Sequence, residues 1–517
     1  MTALTSRPRF NPSPLFDLPP TNVSPPVLQV ASVDAVSPWS PIVQCPAPFP
    51  ETSFEIALLS LLRQPEQNST LILRAEILSD IPYDFSADDR PVSSPQLDNG
   101  LRITRVIVRT LVPRRPTRDS AVTQICTFYS NSEHNSQPCC VVLTPVIEAR
   151  GLLPFYHPPV QHLAFRFLNE SLRIEAVPLS SDSPLTLESR LYRTSLVLLE
   201  TVHRYCFGAV TNWQKRVRHD ILVPREQFQD LYLTMRGRYQ NLVQDWVEET
   251  DPQKHCYEEL AIACYLMLLW KDTYVHGEGA VVEGSEPTLS EPWKSWPRPP
   301  AFLDLGCGAG LLTHILISEG YTGKGIDLQS RKSWAAYPDE SARHLHVHKL
   351  DPTGVIAESS WESASYFSPG VFLIGNHADE LTPWVPILAA FTPASGYLSI
   401  PCCTWAFEGK FKRSEPPVLP STADMLDISL LSLPGSSSCD PATNDRSAYE
   451  AYRIFLGRLS LVCGFEIEAD NLRIPSSRNW AIVGRQRRQS RSVLEDIRKI
   501  VIGVCAGGGF VSRSSCR

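Results

Sequence analysis

The run Phe302-Leu303-Asp304-Leu305-Gly306-Cys307-Gly308-Ala309-Gly310 limits this chain more than any other stretch. An apolar strand stops at three alternating glycines, and a run with apolar residues at 311, 312, 315 and 316 starts at once, the spacing of a helix. Gly320 stands where such a helix ends in a left-handed residue. A second short strand, Gly325-Ile326-Asp327, then places a carboxylate about 20 residues past the turn, where α/β nucleotide-binding folds hold ribose hydroxyls. Glycines let a backbone approach a ligand with no Cβ in the way, and the new helix offers free N–H groups.

Position 311 is leucine where a dinucleotide fingerprint needs its third glycine, so a pyrophosphate reading is weakened. Gly306, Gly308 and Gly310 after an acidic Asp304 resemble instead the S-adenosylmethionine (AdoMet) loop of class I methyltransferases, in which the acidic residue faces the methionine amine. Downstream, His344 to Leu350, Val371 to Gly375 and Gly396 to Cys402 read as strands, with a helical segment Leu381 to Phe391. Ser447 to Cys463 reads as a helix ended by Gly464, and Phe465 to Leu472 with Trp480 to Arg485 as a closing strand pair. Such alternation predicts an α/β, Rossmann-like doubly wound sheet with ligands at the carboxyl ends of its strands.

The chain is 517 residues long and 43% apolar, enough for more than one core. Its 45 prolines mark linkers, and residues 1–50, rich in Pro and Ser, read as disordered. Residues 51–270 read as a mixed α+β domain, including a strand Leu101 to Arg109 and a helix opened by Asp251-Pro252. That helix is apolar nearly all round beyond Glu258 and Glu259, so it should be buried. A linker over 271–299 leads to the main domain, 300–486, interrupted by a low-complexity insertion at 412–445 and followed by a basic tail, 487–517.

The 14 cysteines show no CxxC pair or zinc-finger spacing, which fits a reducing compartment. His344, His346 and His348 alternate on one strand, but without a partner acid or cysteine they read as a strand face, and no metal is expected. No apolar signal core opens the sequence, and Leu260 to Trp270 is too short to span a bilayer, so a soluble intracellular protein is expected. The net charge of −7 excludes a polycation. Nucleic-acid contact would need local clusters such as Arg102 to Arg118, Lys215 to Arg218 and Arg485 to Arg491.

Two segments end where the strands end: Gly375-Asn376-His377-Ala378-Asp379-Glu380 and Pro401-Cys402-Cys403 through Lys410. Asn376, His377, Asp379, Glu380 and Lys410 can orient a hydroxyl or accept its proton, although Asp379 and Glu380 could equally cap the next helix. Pro401-Cys402 fits a C5-pyrimidine methyltransferase, whose thiolate adds to the base.

The glycine turn, Arg331-Lys332-Ser333-Trp334, Leu373 to Trp384, Ile400 to Cys403 and Leu472 to Asn479 together closely resemble the eukaryotic tRNA (uracil-2′-O-)-methyltransferases. Pro154-Phe155-Tyr156-His157-Pro158, Lys215 to Asp220 and Asp251 to Trp270 resemble them too. The resemblance covers roughly residues 51 to 486. It implies AdoMet as cofactor, tRNA as partner (serine tRNA, at uridine 44) and a cytoplasmic setting, and it leaves open whether an accessory protein takes part. Asp304, Gly306, Gly308, Gly310 and Asp327 would hold AdoMet. Asp379 or Glu380 would accept the 2′-hydroxyl proton, with Asn376 and His377 as positioners and Lys410 polarising the oxygen. The rivals are a C5-pyrimidine enzyme working through Cys402 and an inactive RNA-binding scaffold.

Overall fold

The computed structural model describes residues 6–18, 23–29, 39–83, 95, 97, 100–131, 137–147, 153–179, 185–213, 219–275, 291–420, 427, 430–431, 447–488 and 493–512. Two compact units divide the chain, Met1–Gln214 and Lys215–Arg517.

The first unit contains strands β1 (Ser13–Pro14), β2 (Ser40–Pro46), β3 (Ile72–Pro82), β4 (Arg102–Pro113), β5 (Val122–Ser130), β6 (Cys140–Pro145), β7 (Val160–Leu168) and β8 (Ser171–Pro178). They form one antiparallel sheet in the order β1-β2-β8-β7-β6-β5-β4-β3. Helices α1 (Glu51–Arg63) and α2 (Arg190–Val210) cover one face, and Phe54, Leu58 and Val202 pack against Cys126, Phe128 and Phe165. Part of the segment expected to be disordered, 1–50, is ordered here: β2 pairs with β8, and Ile42, Val43 and Cys45 are fully buried, while residues 1–5, 19–22 and 30–38 lie outside the described residues. Pro41 hid this strand: proline lacks the ladder N–H, and it sits where the β2–β8 register shifts.

The second unit contains α3 (Arg225–Arg238), α4 (Pro252–Thr273), β9 (Ala301–Leu305), α5 (Leu311–Ser318), β10 (Gly323–Asp327), β11 (Leu345–Val347), β12 (Val371–Asn376) and α6 (Trp384–Phe391). After them come β13 (Gly396–Ile400), α7 (Ala448–Val462), β14 (Phe465–Asn471), β15 (Trp480–Arg487) and α8 (Val493–Ala506). The sheet order is β11-β10-β9-β12-β13-β15-β14, parallel through β13, with β15 antiparallel to both its neighbours. Order reverses at β9, so the crevice opens at the carboxyl ends of β9 and β12.

Period-two alternation assigns the two faces. Phe302, Phe372, Leu398 and Val483 pack under α4 and α5, while Leu303, Leu373, Tyr397 and Ile482 pack under α6, α7 and α8. Thus α4, expected in the preceding domain, belongs to this unit. It is apolar on nearly every side because it lies between α3 and the layer formed by α5 and the sheet. Its cap is the one read from sequence: Asp251 Oδ1 accepts from the N–H groups of Gln253 and Lys254 at 3.0 and 3.2 Å. Part of the expected basic tail is α8, whose Ile497, Val501 and Val504 are buried. Most of the low-complexity insertion lies outside the described residues.

Candidate active site

Asp304 is the penultimate residue of β9, and Gly306, Gly308 and Gly310 follow with φ of 72°, 52° and 71°, left-handed values that favour glycine. The turn is held by its own backbone. The N–H groups of Gly306 and Cys307 both donate to the Ile326 carbonyl, and Gly310 N–H donates to Cys307 O at 2.8 Å. Side chains fasten the other carbonyls. Trp334 Nε1 donates to Gly308 O at 2.9 Å, while Ser333 Oγ and Tyr337 O–H donate to Ala309 O at 2.8 and 3.0 Å. Across the turn, Asp327 Oδ2 accepts from Gly308 N–H at 2.9 Å and Oδ1 from Gln329 N–H at 3.3 Å.

A Cβ on Gly308 would meet nothing within 4 Å, so open space lies before it. Gly310 differs. Its Cβ would lie 2.7 Å from Leu345 Cδ1, so this glycine shapes the turn and lines neither cleft described below.

Two clefts meet at the turn. One of 350 Å³ is walled by Gly306, Gly308, Asp327, Leu328, His348, Leu350, Asp379 and Glu380. The other, of 800 Å³, is walled by Trp246, Lys254, Glu258, Glu259, Asp304, Cys307, Asn376 and Cys402. Gly306, Gly308, Gln329, Arg331 and His377 line both.

The set expected for proton handling is therefore divided. Asn376 faces the larger cleft, Asp379 and Glu380 the smaller, and His377 stands between. His377 and Asp379 have φ of 53° and 44°, conformations that cost energy for residues with a Cβ and that gather at functional sites. His377 Nε2 lies 3.1 Å from Glu258 Oε1, and Asn376 Nδ2 donates to both oxygens of Glu259 at 3.2 and 2.9 Å.

Lys410 is a correction. It is exposed, lines neither cleft, and rests its ammonium 3.9 Å from the centre of the Trp405 ring, a cation–π contact. Burial pushes the Cys402 thiol up to about 12, and its Sγ donates to Asp379 Oδ1 at 3.7 Å. A neutral thiol is a poor nucleophile, which counts against chemistry through Cys402. Asp379, Cys402 and Cys403 do bring their ligating atoms within 4.8 Å of one another, whereas His348 bonds Ser363 and His346 packs edge-on to Tyr366.

Glu258 and Glu259 were not singled out from sequence as site residues. The signal was their position, two adjacent acids in an otherwise apolar buried helix. Burial first, then the neighbouring Asp304 and Glu258 carboxylates, raise the Glu259 carboxyl to about 8, with the Asn376 amide pulling the other way. Burial likewise raises Asp304 to about 7, opposed by the Thr313 hydroxyl and helped by Asp327.

Several arginines of the expected basic clusters are engaged within the protein. Arg105 pairs with Asp80 at 2.7 Å, and Arg109 is buried against Gln124 and the Leu62 carbonyl. Arg485 pairs with Glu468 and Asp272, and Arg473 with Asp220. Arg114, Arg115 and Arg118 stay exposed, and Lys215 to Arg218 lie outside the described residues.

Comparison with known proteins points one way. Residues 15–216 match the family model described as "TRM44-like, N-terminal bet v1-like domain". Residues 222–284 and 288–352 match one described as "Predicted AdoMet-dependent methyltransferase". A Neurospora crassa protein named tRNA (uracil-O(2)-)-methyltransferase is 33% identical over 94% of each chain. One of the same name from Schizosaccharomyces pombe is 32% identical over 87% of this chain and 85% of its own. A Saccharomyces cerevisiae protein, again so named, is 29% identical over 84% of each.

Proposed function

Because the chain belongs to the family of the tRNA (uracil-O(2)-)-methyltransferases, we propose that it transfers the AdoMet methyl group to the ribose 2′-oxygen of a uridine in tRNA. The observation that carries this is the turn at Gly306 to Gly310, with Asp327 locked across it and open space before Gly308. The strand order, with its antiparallel closing pair, supports a class I methyltransferase sheet of the Rossmann type. Serine tRNA and uridine 44 are the finer form of the proposal, supported by the motif resemblance alone.

The residues present fit the cofactor. Asp304 has a buried oxygen with no donor among the described residues, the space before Gly308 is open, and Asp327 stands in the smaller cleft. In this reading Asp304, Gly306, Gly308 and Asp327 hold AdoMet, while Gly310 sets the turn they need. AdoMet supplies a methyl already made electrophilic by its sulfonium charge. The chain's residues supply alignment and a place for the proton. With the methyl group supplied by bound AdoMet, a side chain at the junction of the clefts would take the proton of the 2′-hydroxyl. His377 lines both clefts and Asn376 stands beside it, so these two orient the hydroxyl. Asp379 and Glu380, on the other side of that junction, remain the proposed carboxylate acceptors.

The experiment is mass spectrometry of nucleosides from tRNA incubated with the protein and isotope-labelled AdoMet. Labelled 2′-O-methyluridine is expected. Label on the uracil ring, or none, overturns the reading.

A further inference from the structure

We propose that the cavity of the first unit, between its two helices and its sheet, takes one unpaired nucleotide of the tRNA, with the base inside and the phosphates on Arg190 and Arg193. The identity of the partner rests on the tRNA reading above. The cavity itself lies wholly in Met1–Gln214 and shares no residue with the two clefts of the second unit.

The cavity measures 630 Å³, and its walls are largely apolar: Leu61 of α1, Leu198 of α2, and Leu111, Leu143 and Leu163 of the sheet. A charge stands in that wall. Arg109 of β4 is 4% exposed, and its guanidinium donates to the Gln124 side chain and the Leu62 carbonyl, both neutral. The ionisable group beside it is the Cys126 thiol, whose burial favours the protonated form. Gln124 in turn bonds His157 Nε2 at 2.9 Å, and burial lowers that imidazole to about 4, so it is neutral at pH 7. The hydrogen bonds of Arg109 are met inside the protein, and its charge is not. A negative oxygen entering the cavity would offset the cost of burying that cation.

The rim repeats the sign. Arg190 and Arg193, both exposed, line it, and Glu188 is the one acid that does so among the described residues. The Arg190 guanidinium sits 4.3 Å from the centre of the Phe155 ring and donates to the Phe155 and His157 carbonyls, with no carboxylate among these partners. Arg114 reaches the same edge, where its Nε donates to the carbonyl of Ile72, another lining residue. Phe155 itself is 70% exposed, an aromatic ring left in water at the mouth of the cavity.

These parts decide among ligands. A fatty acid would fill the walls but bring one anion to several cations. A free phosphate would leave the walls wet. A nucleotide within a chain brings a flat base whose carbonyl oxygens suit Arg109, a ring face for Phe155, and a phosphate on either side for the rim arginines. Bases already paired are shut away in a helix, so the nucleotide must be an unpaired one.

The test is fluorescence anisotropy of a labelled, unmodified serine tRNA transcript with the full chain, alongside methylation kinetics. Phe155→Ala and Arg193→Ala remove exposed groups, and Val197→Trp narrows the entrance from the exposed side of α2. Each should raise the Kd for tRNA, and KM with it, by about fivefold or more, while kcat and the affinity for AdoMet stay within about twofold. Unchanged melting temperatures report that the variants are folded. Loss on Arg193→Ala alone, with the other two variants like wild type, overturns the inference in favour of a backbone-only contact. Oleate bound by the wild type and not displaced by tRNA overturns it in favour of a lipid cavity. Uridine 5′-monophosphate bound as tightly as tRNA overturns it in favour of a free nucleotide. Wild-type KM in all three variants overturns it and leaves the methylation reading standing. A wild type that binds tRNA through these residues yet forms no 2′-O-methyluridine overturns that reading and supports this one.

Discussion

At the residue scale, burial first and then the Asp304 and Glu258 carboxylates raise the Glu259 carboxyl to about 8, which favours the protonated form in the folded protein. An unfolded chain loses that proton near the ordinary glutamate value, about 4.3. The folded state then binds a proton that the unfolded state has released, so stability falls as pH rises from the lower value through about 8. Asp304, Glu258, Cys256, Cys307 and Tyr337 are the ionisable groups that interact with it among the described residues, and Asp304 acts in the same sense up to about 7. Glu259→Gln without ligand should therefore melt higher than wild type at pH 8.5 and equal to it at pH 5, as read by scanning calorimetry. A variant that melts lower at both values would contradict this. Lys410→Ala should leave methylation of tRNA within twofold of wild type, since the ammonium is engaged with Trp405 away from both clefts. That Asp304, Gly306, Gly308 and Asp327 stand together at the clefts could be expected from sequence, because one short segment holds them all. Glu259 could not, because its partner Asn376 is 117 residues away and only the fold brings them together.

At the scale of elements, the glycine turn works because α5 starts immediately behind it and Leu345 of β11 fills the space below. Gly310→Ala forces a left-handed φ on a residue with a Cβ and pushes that carbon against Leu345. The backbone term alone costs on the order of 1–3 kcal/mol. The variant should show a lower melting temperature and weaker AdoMet binding, and unchanged melting would contradict the packing described. Trp334→Phe should act more gently by releasing the bond to Gly308 O. Strands and helices with clean periodicity, such as β4, β12 and α7, were readable. Two kinds of element were not. The prolines in β2 suppress the strand pattern, and α3 buries only Phe228, Leu231 and Met235 on an otherwise polar surface. What gave α4 to the wrong domain was chain order: a proline- and glycine-rich stretch after it suggested a boundary that the core ignores.

At the scale of the whole molecule, each unit has its own buried core, and every residue lining the two clefts lies in Lys215–Arg517. A fragment of residues 215–517 should therefore bind AdoMet within threefold of the full chain, by calorimetry. A much weaker fragment would show that the first unit completes the cofactor site. Among the described residues no helix is long and apolar enough to cross a membrane. Composition had already excluded a polycation, but it could not reveal that Arg105, Arg109, Arg473 and Arg485 are spoken for internally.

Asp304 Oδ1 and Asn376 Oδ1, buried and without a partner among the described residues, would couple the stability of the fold to a ligand that met them. A nucleoside present at a hundred times its dissociation constant adds about 2.7 kcal/mol to folding stability. Under the AdoMet proposal the chain opens to proteases less often once the nucleoside is bound, and limited proteolysis with and without AdoMet should show slower cleavage with it.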